Sequence, residues 1–448
     1  VSIFGLDDGE VTALLRAVGG HVVDDEPDRE AIRDRFARAT WSGIAEPGDR
    51  TAGQVIEALG VADALDAVVA RWPAKRWAAT LAGECSDGAI SDGAISDGRV
   101  SDGVVSEGEF ERAIARWQPR LKSEAVILSL RHAARYRMRL LTPDDDGWPS
   151  GLSDLGLHAP IALWVRGTDA ALAALGRSVA LVGARAATGY GEHVTMELSA
   201  GLVDRGFAIV SGAAYGIDGM AHRTALASHG FTIAFLAGGA DRFYPSGHDA
   251  LLTRIVDEGA VISELPCGQP PTRWRFLQRN RLIAAASQAS VVVEAGWRSG
   301  SLNTAGHAAT IGRPIGAVPG PITSAASAGC HRLIRDYDAT LVTSADEIVE
   351  LVGVAAHRAE TGEAATALGN GAVSVIEPEA SAEDTRLLDA ISVSAPRLAH
   401  DIAARSGLSV AEVQSRLGIL ELDGRVVERE RGWIKKKPEE SGKPRPLS

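Results

Sequence analysis

From Ser178 onward the chain alternates short, continuous apolar runs with helix-length segments. The runs are SVALVG (178–183), FAIVSG (207–212), FTIAFLAGG (231–239), AVISE (260–264), SVVVEA (290–295), PIGAVPG (314–320) and TLVTS (340–344). A run apolar at consecutive positions suits a strand buried on both faces, and helical crossovers between such strands imply a parallel sheet. Right-handed crossovers are expected. The pattern predicts an extended Rossmann-like, doubly wound, mostly parallel α/β sheet. Residues 140–177 read as its entry segment, with a short strand at Ile161–Val165 ended by Arg166-Gly167.

On either side the period changes. Residues 1–135 show helical spacing and are expected to form a small helical domain. Gly5-Leu6-Asp7-Asp8 can open one helix and Glu30–Ala39 forms another. Ala52–Val69 places Val55, Ile56, Leu59, Ala62, Leu65, Val68 and Val69 on one face. A five-residue repeat interrupts this domain at 86–110: SDGAI, SDGAI, SDGRV, SDGVV, SEGEF. Its Asp-Gly pairs favour turns. One carboxylate per five residues lacks the ligand spacing of a calcium loop, so a disordered insertion is expected. Glu109–Leu130 resumes helical spacing, with Ile114, Trp117 and Leu121 on one face. Residues 354–382 read as a flexible linker. Residues 383–434 read as a winged helix: helices at Glu383–Ile391 and Pro396–Arg405, a third capped by Ser409 and Glu412, and a ribbon from Arg425–Val427 and Gly432–Ile434. The tail, 435–448, is expected to be disordered.

Composition narrows the function classes. The 448 residues carry a net charge of −12, with 45% hydrophobic and 5% aromatic residues. No apolar run is long enough for a membrane helix and the N-terminus shows no signal-peptide pattern. Cys85, Cys267 and Cys330 fit no metal or redox spacing and read as free thiols of a reducing cytoplasm. Against the acidic whole, Leu265–Arg335 holds eight arginines (Arg273, Arg275, Arg279, Arg281, Arg298, Arg313, Arg332, Arg335) and one carboxylate, Glu294, a formal +7. Such an island implies an anionic partner.

Four Gly-rich turns follow the strands: VGARAATGYG, SGAAYGIDGMAH, AGGADRFYPSGH and WRSGSLNT. Ligands of open α/β sheets bind at strand carboxyl ends, and such turns can offer backbone N–H groups to phosphate. No dinucleotide fingerprint and no Walker A loop is present, so ATP hydrolysis is not expected, and no cofactor is expected. Asp218 and His222, four apart at a helix start, could be a base pair or metal ligands, but no metal is expected. Asp218 and His222 read as structural, Asp218 capping the helix after Gly216. Arg279-Asn280-Arg281 lacks acidic neighbours in sequence, which weighs against simple ion pairing there.

These motifs, with ISELP, RNRLIAAAS…VVVEAGWRSGSLNTA, GRPIGAVPG and AGCHRLIRD, resemble the DNA-processing protein A (DprA, or Smf) family over about 140–350. The resemblance implies a Rossmann-like core at 140–353, an N-terminal module of the sterile-alpha-motif or helix–hairpin–helix kind, and a C-terminal winged helix. It implies a homodimer that binds and protects single-stranded DNA and loads the RecA recombinase, without catalysis. By position, Gly183 and Arg185 match the phosphate-holding turn, and Ser211, Gly212, Gly238 and Gly239 the pocket loops. Arg273, Arg279, Asn280 and Arg281 match the basic segment. Ser299, Gly300 and Ser301 match a second phosphate-cradling turn. FLQRNR, His248 and His331 depart from the usual pattern. Removing Arg185 and Arg281 together is expected to weaken DNA binding without unfolding. The third helix of the winged unit carries Glu412, Glu421 and one basic residue, Arg416, so a protein-contact or regulatory role is expected there. The rival reading is a phosphoribohydrolase-like enzyme. Ser299–His307 lacks that class's glutamate after Thr304, leaving only Glu294. A nucleotide sensor without DNA affinity is the third reading.

Overall fold

The computed structural model describes residues 2–3, 6–19, 29–81, 106–361, 382–429 and 431–436. The chain divides into two compact units: Val1–Asp66, Ser123–Pro271 and Arg275–Glu377 form the first, and Ala67–Lys122, Thr272–Trp274 and Pro378–Ser448 the second. The helices expected as one N-terminal domain are thus shared between the units.

The first unit is built on a nine-stranded sheet. Its strands are β1 (Arg139–Leu141), β2 (Leu163–Gly167), β3 (Ser178–Gly183), β4 (Ala208–Ser211), β5 (Thr232–Leu236), β6 (Ala260–Ser263), β7 (Ala289–Glu294), β8 (Ile315–Ala317) and β9 (Thr340–Leu341). They lie in the order β9-β8-β7-β3-β4-β5-β6-β2-β1. The seven strands β3–β9 pair in parallel. β2 joins β6 antiparallel, with Trp164 opposite Ser263, and β1 joins β2 the same way. Every residue of β4 to β7 is buried, which is why these strands read as unbroken apolar runs.

Alternation divides the strand side chains between two faces. Ala180, Val182, Val210, Phe235, Ile262 and Val292 pack with Leu282 and Ile283. Val179, Leu181, Ile209, Val291 and Val293 pack with Leu198, Leu202, Ile217 and Ala221. Four helices bear on the carboxyl edge of the sheet: α1 (Gly189–Asp204), α2 (Ile217–Ala227), α3 (Arg273–Ala286) and α4 (Ser301–Thr310). Helices Asp8–Val18, Arg29–Ile44 and Ser123–Arg135 add Val11, Leu15, Phe36, Val126 and Leu130 to a further core with Leu236, Val261 and Trp164.

Two expected helices are broken in ways local chemistry explains, and one expected linker is partly helical. Ala52–Val69 is two helices, Arg50–Leu59 and Val61–Val69, because Gly60 turns the chain at φ 81° and its N–H still closes on the Ile56 carbonyl. Glu109–Leu130 is likewise two, Glu107–Trp117 and Ser123–Arg135, separated by a 3₁₀ turn holding Pro119. Proline lacks the N–H that a continuing helix needs. Helix Ala345–Thr361 runs into the segment expected to be a linker. The rest of that segment from 362 to 381, the repeat at 86–105, Cys85 and the tail from 437 lie outside the described residues.

In the second unit, helices Ala382–Ala390, Ala399–Ser406 and Val410–Leu422 precede a ribbon of β10 (Val426–Arg429) and β11 (Gly432–Lys435). Gly407, left-handed at φ 69°, ends the second helix. Ser409 and Glu412 cap the third reciprocally. Leu387, Ile402, Leu408, Val413, Leu417, Leu420 and Val426 form the core. The arrangement is a winged helix. Helix Glu107–Trp117 belongs to the same unit and starts at Ser106, whose capping box with Glu109 uses the last copy of the repeat. The 3₁₀ turn after it is tied down by Arg120, whose Nε donates to the Ala404 carbonyl at 2.7 Å. Among the described residues no helix is long and apolar enough to cross a membrane.

Candidate functional site

The chain order β3-β4-β5-β6 runs outward on one side, and β7 returns to the other side of β3. Open α/β sheets bind ligands at such a reversal, where the carboxyl ends of two strands part. Here the crevice between β3 and β7 is already filled. Glu294, at the end of β7 and 2% exposed, accepts from the Thr188 N–H at 2.8 Å and the Thr188 hydroxyl at 2.7 Å. A Cβ on Gly191 would collide with this carboxylate. The protein's own anion therefore sits at the N-terminus of α1, where a nucleotide phosphate would otherwise bind.

One step along the sheet, the carboxyl ends of β3, β4 and β5 are organised around Asp218. This residue lies in the first turn of α2 but does not cap it: the N-cap is Gly216, without a side-chain bond. Asp218 reaches back instead, accepting from Gly212 N–H at 3.1 Å and Ala214 N–H at 3.4 Å, and from the backbone of Gly183. The expected capping is thus corrected. Three turn N–H groups converge on one side chain. Burial pushes the Asp218 carboxyl above its ordinary range, and Arg279 opposes that. His222 is apart from it, bonded through Nδ1 to the Thr232 hydroxyl at 2.7 Å, and burial holds its pKa at about 3.

Arg279 projects from α3 into the same layer. Its Nη1 donates to the Phe235 carbonyl at the end of β5, 2.6 Å away. A Cβ on Gly212 would overlap its guanidinium, so glycine at 212 admits the arginine rather than a ligand. Burial lowers the Arg279 pKa to about 10, Asp218 resisting and Arg185 adding to the shift. The group remains a cation at neutral pH. Above it lies Phe276, with Arg185 stacked at 4.9 Å and Arg279 at 5.8 Å from the ring centre. Tyr244 meets Phe276 with ring centres 5.5 Å apart and is 49% exposed. Gly212, Leu236, Gly238, Arg242, Tyr244 and Phe276 are among the residues lining a cleft with about 10 Å³ of free space, about one water. It is a mouth, too small to enclose a nucleotide. Arg185, Arg242 and Tyr244 stand exposed around it.

The remaining expected residues divide into groups. Ser211 is buried, its hydroxyl donating to the Leu181 carbonyl at 2.7 Å. Gly239 N–H is committed to the Gln269 carbonyl at 2.9 Å, and Gly238 is closely packed by Pro271. Asn280 donates to the Gly300 carbonyl and to Asn303 Oδ1, at 3.3 and 3.2 Å, and so fixes the second turn. Within that turn Ser299 N–H bonds the Gly296 carbonyl, and the Ser299 and Ser301 hydroxyls bond each other at 2.7 Å. Arg273 is exposed and counts with the second unit. The turns therefore spend many of their polar groups on the fold itself, and side chains more than bare N–H groups face solvent.

The cationic island is also largely neutralised. Arg281 is bonded through Nη2 to both oxygens of Glu264, at 2.6 and 2.9 Å. Arg275 pairs with Glu46 at 3.0 Å, Arg313 with Asp154 at 2.8 Å and Arg335 with Asp336 at 2.7 Å. The expectation that acidic partners are missing is corrected: all four carboxylates lie outside 265–335, one of them 229 residues from its arginine. Arg332 stacks on Trp297 at 5.2 Å and Tyr337 at 5.3 Å. Sequence reasoning missed Arg242, Tyr244 and Phe276. Their signal was present as arginine interleaved with aromatics in DRFYP and RWRF.

Comparison with known proteins places this arrangement. Residues 139–353 match the family model of DNA recombination-mediator protein A, and 374–430 match that of the DprA winged helix domain. A putative DNA processing protein DprA of Mycobacterium tuberculosis is 48% identical over 305 residues, 66% of this chain and 76% of that protein. The protein Smf of Escherichia coli is 43% identical over 192 residues, 43% of this chain and 50% of that protein. The crystal structure of DprA from Streptococcus pneumoniae covers 70% of this chain and 97% of its own, with a TM-score of 0.53 at 28% identity.

Proposed function

The chain belongs to the DprA/Smf family of DNA-processing proteins, and from that premise we propose that its sheet unit binds single-stranded DNA as a recombination mediator. The observation that carries the reading is the cluster at the ends of β3, β4 and β5. Arg185 lies over Phe276, Tyr244 packs beside it, and Arg242 stands exposed at the same cleft. Cations alone would serve any polyanion. Cations beside an exposed ring, Tyr244, and a half-buried one, Phe276, suit a strand whose bases are unpaired and free to stack.

In this reading Arg185 and Arg242 hold successive phosphates, and bases lie on Tyr244 and the open edge of Phe276. Arg279, locked to the Phe235 carbonyl with Asp218 as its charge partner, holds the floor beneath Phe276 in place. The Glu294 plug at the β3–β7 crevice favours this function over a phosphoribohydrolase, because the carboxylate best placed for catalysis is held by Thr188 and occupies the phosphate position. Protecting the strand, handing it to RecA, acting as a homodimer and working in the cytoplasm belong to the same proposal and rest on family membership.

Fluorescence anisotropy with labelled oligo(dT) tests it. The proposal expects binding that weakens with salt, each neutralised phosphate contributing about −0.7 to the log–log slope, and no adenine released from AMP under the same conditions. Salt-independent binding, or release of adenine, would overturn it.

A further inference from the structure

The winged unit carries its positive charge on the ribbon. Residues 425–437 hold six Arg or Lys and two Glu. The helix Val410–Leu422 is different. Glu421 is exposed on it, and its one cation, Arg416, is bonded to Asp384 at 2.7 Å and lies 3.4 Å from Glu383. Ile419 and Leu422 are exposed on it as well, at 58% and 90%. Gln414 and Ser415 are exposed there too, but with its one cation engaged this helix brings no free positive charge to a phosphate backbone.

The ribbon sorts its residues by face. Val426 is buried in the core, so alternation turns Arg425, Val427 and Arg429 to the opposite side. Val427 pairs with Ile434 and Arg429 with Gly432. The Lys436 N–H donates to the Arg425 carbonyl at 2.9 Å, which carries the pairing one residue further and sets two cations side by side. Arg425, Arg429, Arg431 and Lys436 are all exposed, and among the described residues none forms a salt bridge. Like charges facing each other across strands cost stability. Such an arrangement is stabilised when an anion lies over it.

We propose that the outer face of this ribbon binds the phosphate backbone of duplex DNA, without reading sequence. Duplex is favoured over single strand because the face offers Val427 and Ile434 between its cations and no exposed ring on which unpaired bases could stack. Trp433, the ribbon's aromatic residue, is packed against the core. Duplex DNA also presents the denser phosphate array. None of the ribbon residues is among those lining the cleft of the sheet unit.

The test uses the full chain with Arg425→Ala, Arg429→Ala and Lys436→Ala combined, titrated with a labelled blunt duplex and with oligo(dT) at several salt concentrations. Loss of three phosphate contacts should reduce the duplex salt slope by about 2.7, at about 0.9 each, and lower affinity on the order of tenfold or more at low salt. Oligo(dT) binding should stay within about twofold of wild type, and Arg425→Lys with Arg429→Lys should keep duplex affinity. Arg185→Ala should do the reverse of the triple change, so the two sites fail independently. The proposal is overturned if the wild-type chain does not bind duplex, if the triple variant binds it unchanged, if the triple variant loses oligo(dT) to the same degree, or if the lysine variant loses duplex binding.

Discussion

Replacing Arg281 with alanine distinguishes a strut from a ligand. Arg281 lies in the basic segment that points to DNA, yet its side chain is 3% exposed and bonded to both oxygens of Glu264. Glu264 is 11% exposed, with the Gly48 backbone as a further partner and Glu46 as a repelling neighbour. Removing the arginine leaves a buried carboxylate without its counter-ion, a change that costs about 3–5 kcal/mol. The loss has a pH signature. Burial already holds the Glu264 carboxyl above its ordinary range, with Arg281 pulling it back. With the folded pKa raised, the group's contribution to stability is fully present below the unfolded carboxylate pKa and declines as pH rises through the folded value. Without Arg281 that value rises further. The deficit of the variant should be largest at neutral and alkaline pH and shrink on acidification, as Glu264 takes up a proton. Urea unfolding followed by circular dichroism across pH measures this, with oligo(dT) anisotropy on the same samples. Arg281→Met combined with Glu264→Met should recover much of the stability, since an apolar pair of similar volume often replaces a buried ion pair without loss. An Arg281→Ala protein with an unchanged urea midpoint and abolished DNA binding would refute the strut and restore Arg281 to the binding site. The buried Arg281–Glu264 pair therefore revises the expectation that Arg185 and Arg281 can be removed together without unfolding.

Arg185→Ala should weaken oligo(dT) binding and make the salt slope shallower by about 0.7, with the thermal unfolding temperature unchanged because the residue is exposed. Tyr244→Ala should cost about 1–3 kcal/mol of DNA affinity, the worth of one stacked base. Because stacking is not screened by salt, that loss should persist in high-salt anisotropy, where the Arg185 effect fades. Gly212→Ala forces a methyl into the Arg279 guanidinium and should destabilise the sheet unit by about 1–3 kcal/mol, seen as a lower urea midpoint.

The parallel strands were legible because each is an apolar run closed by glycine or a polar turn, a signal that needs no partner. β1, three residues in RMRLL, was not legible: it becomes a strand only by pairing with β2. Ser409 and Glu412 were readable as a capping box. The same spacing at Ser106 and Glu109 was hidden inside a repeat whose other copies carry no Glu or Gln three residues after the serine. Glycine-rich turns located the carboxyl edge of the sheet but not their own occupants, since the sequence does not show that Asp218 gathers their N–H groups. Counting charge along 265–335 exaggerated the patch, because Glu46, Asp154, Glu264 and Asp336 lie beyond its ends. The fold, not the local sequence, decides which arginines remain exposed.

Unpaired DNA, on this account, lies over the ends of β3, β4 and β5. Oligo(dT) carrying 5-iodouracil, photo-crosslinked to the full chain and mapped by peptide mass spectrometry, reads that place directly. Crosslinks at Tyr244 or Phe276 that disappear with Arg185→Ala are the predicted result. Crosslinks confined to Trp297, Tyr337 or the winged unit would contradict it.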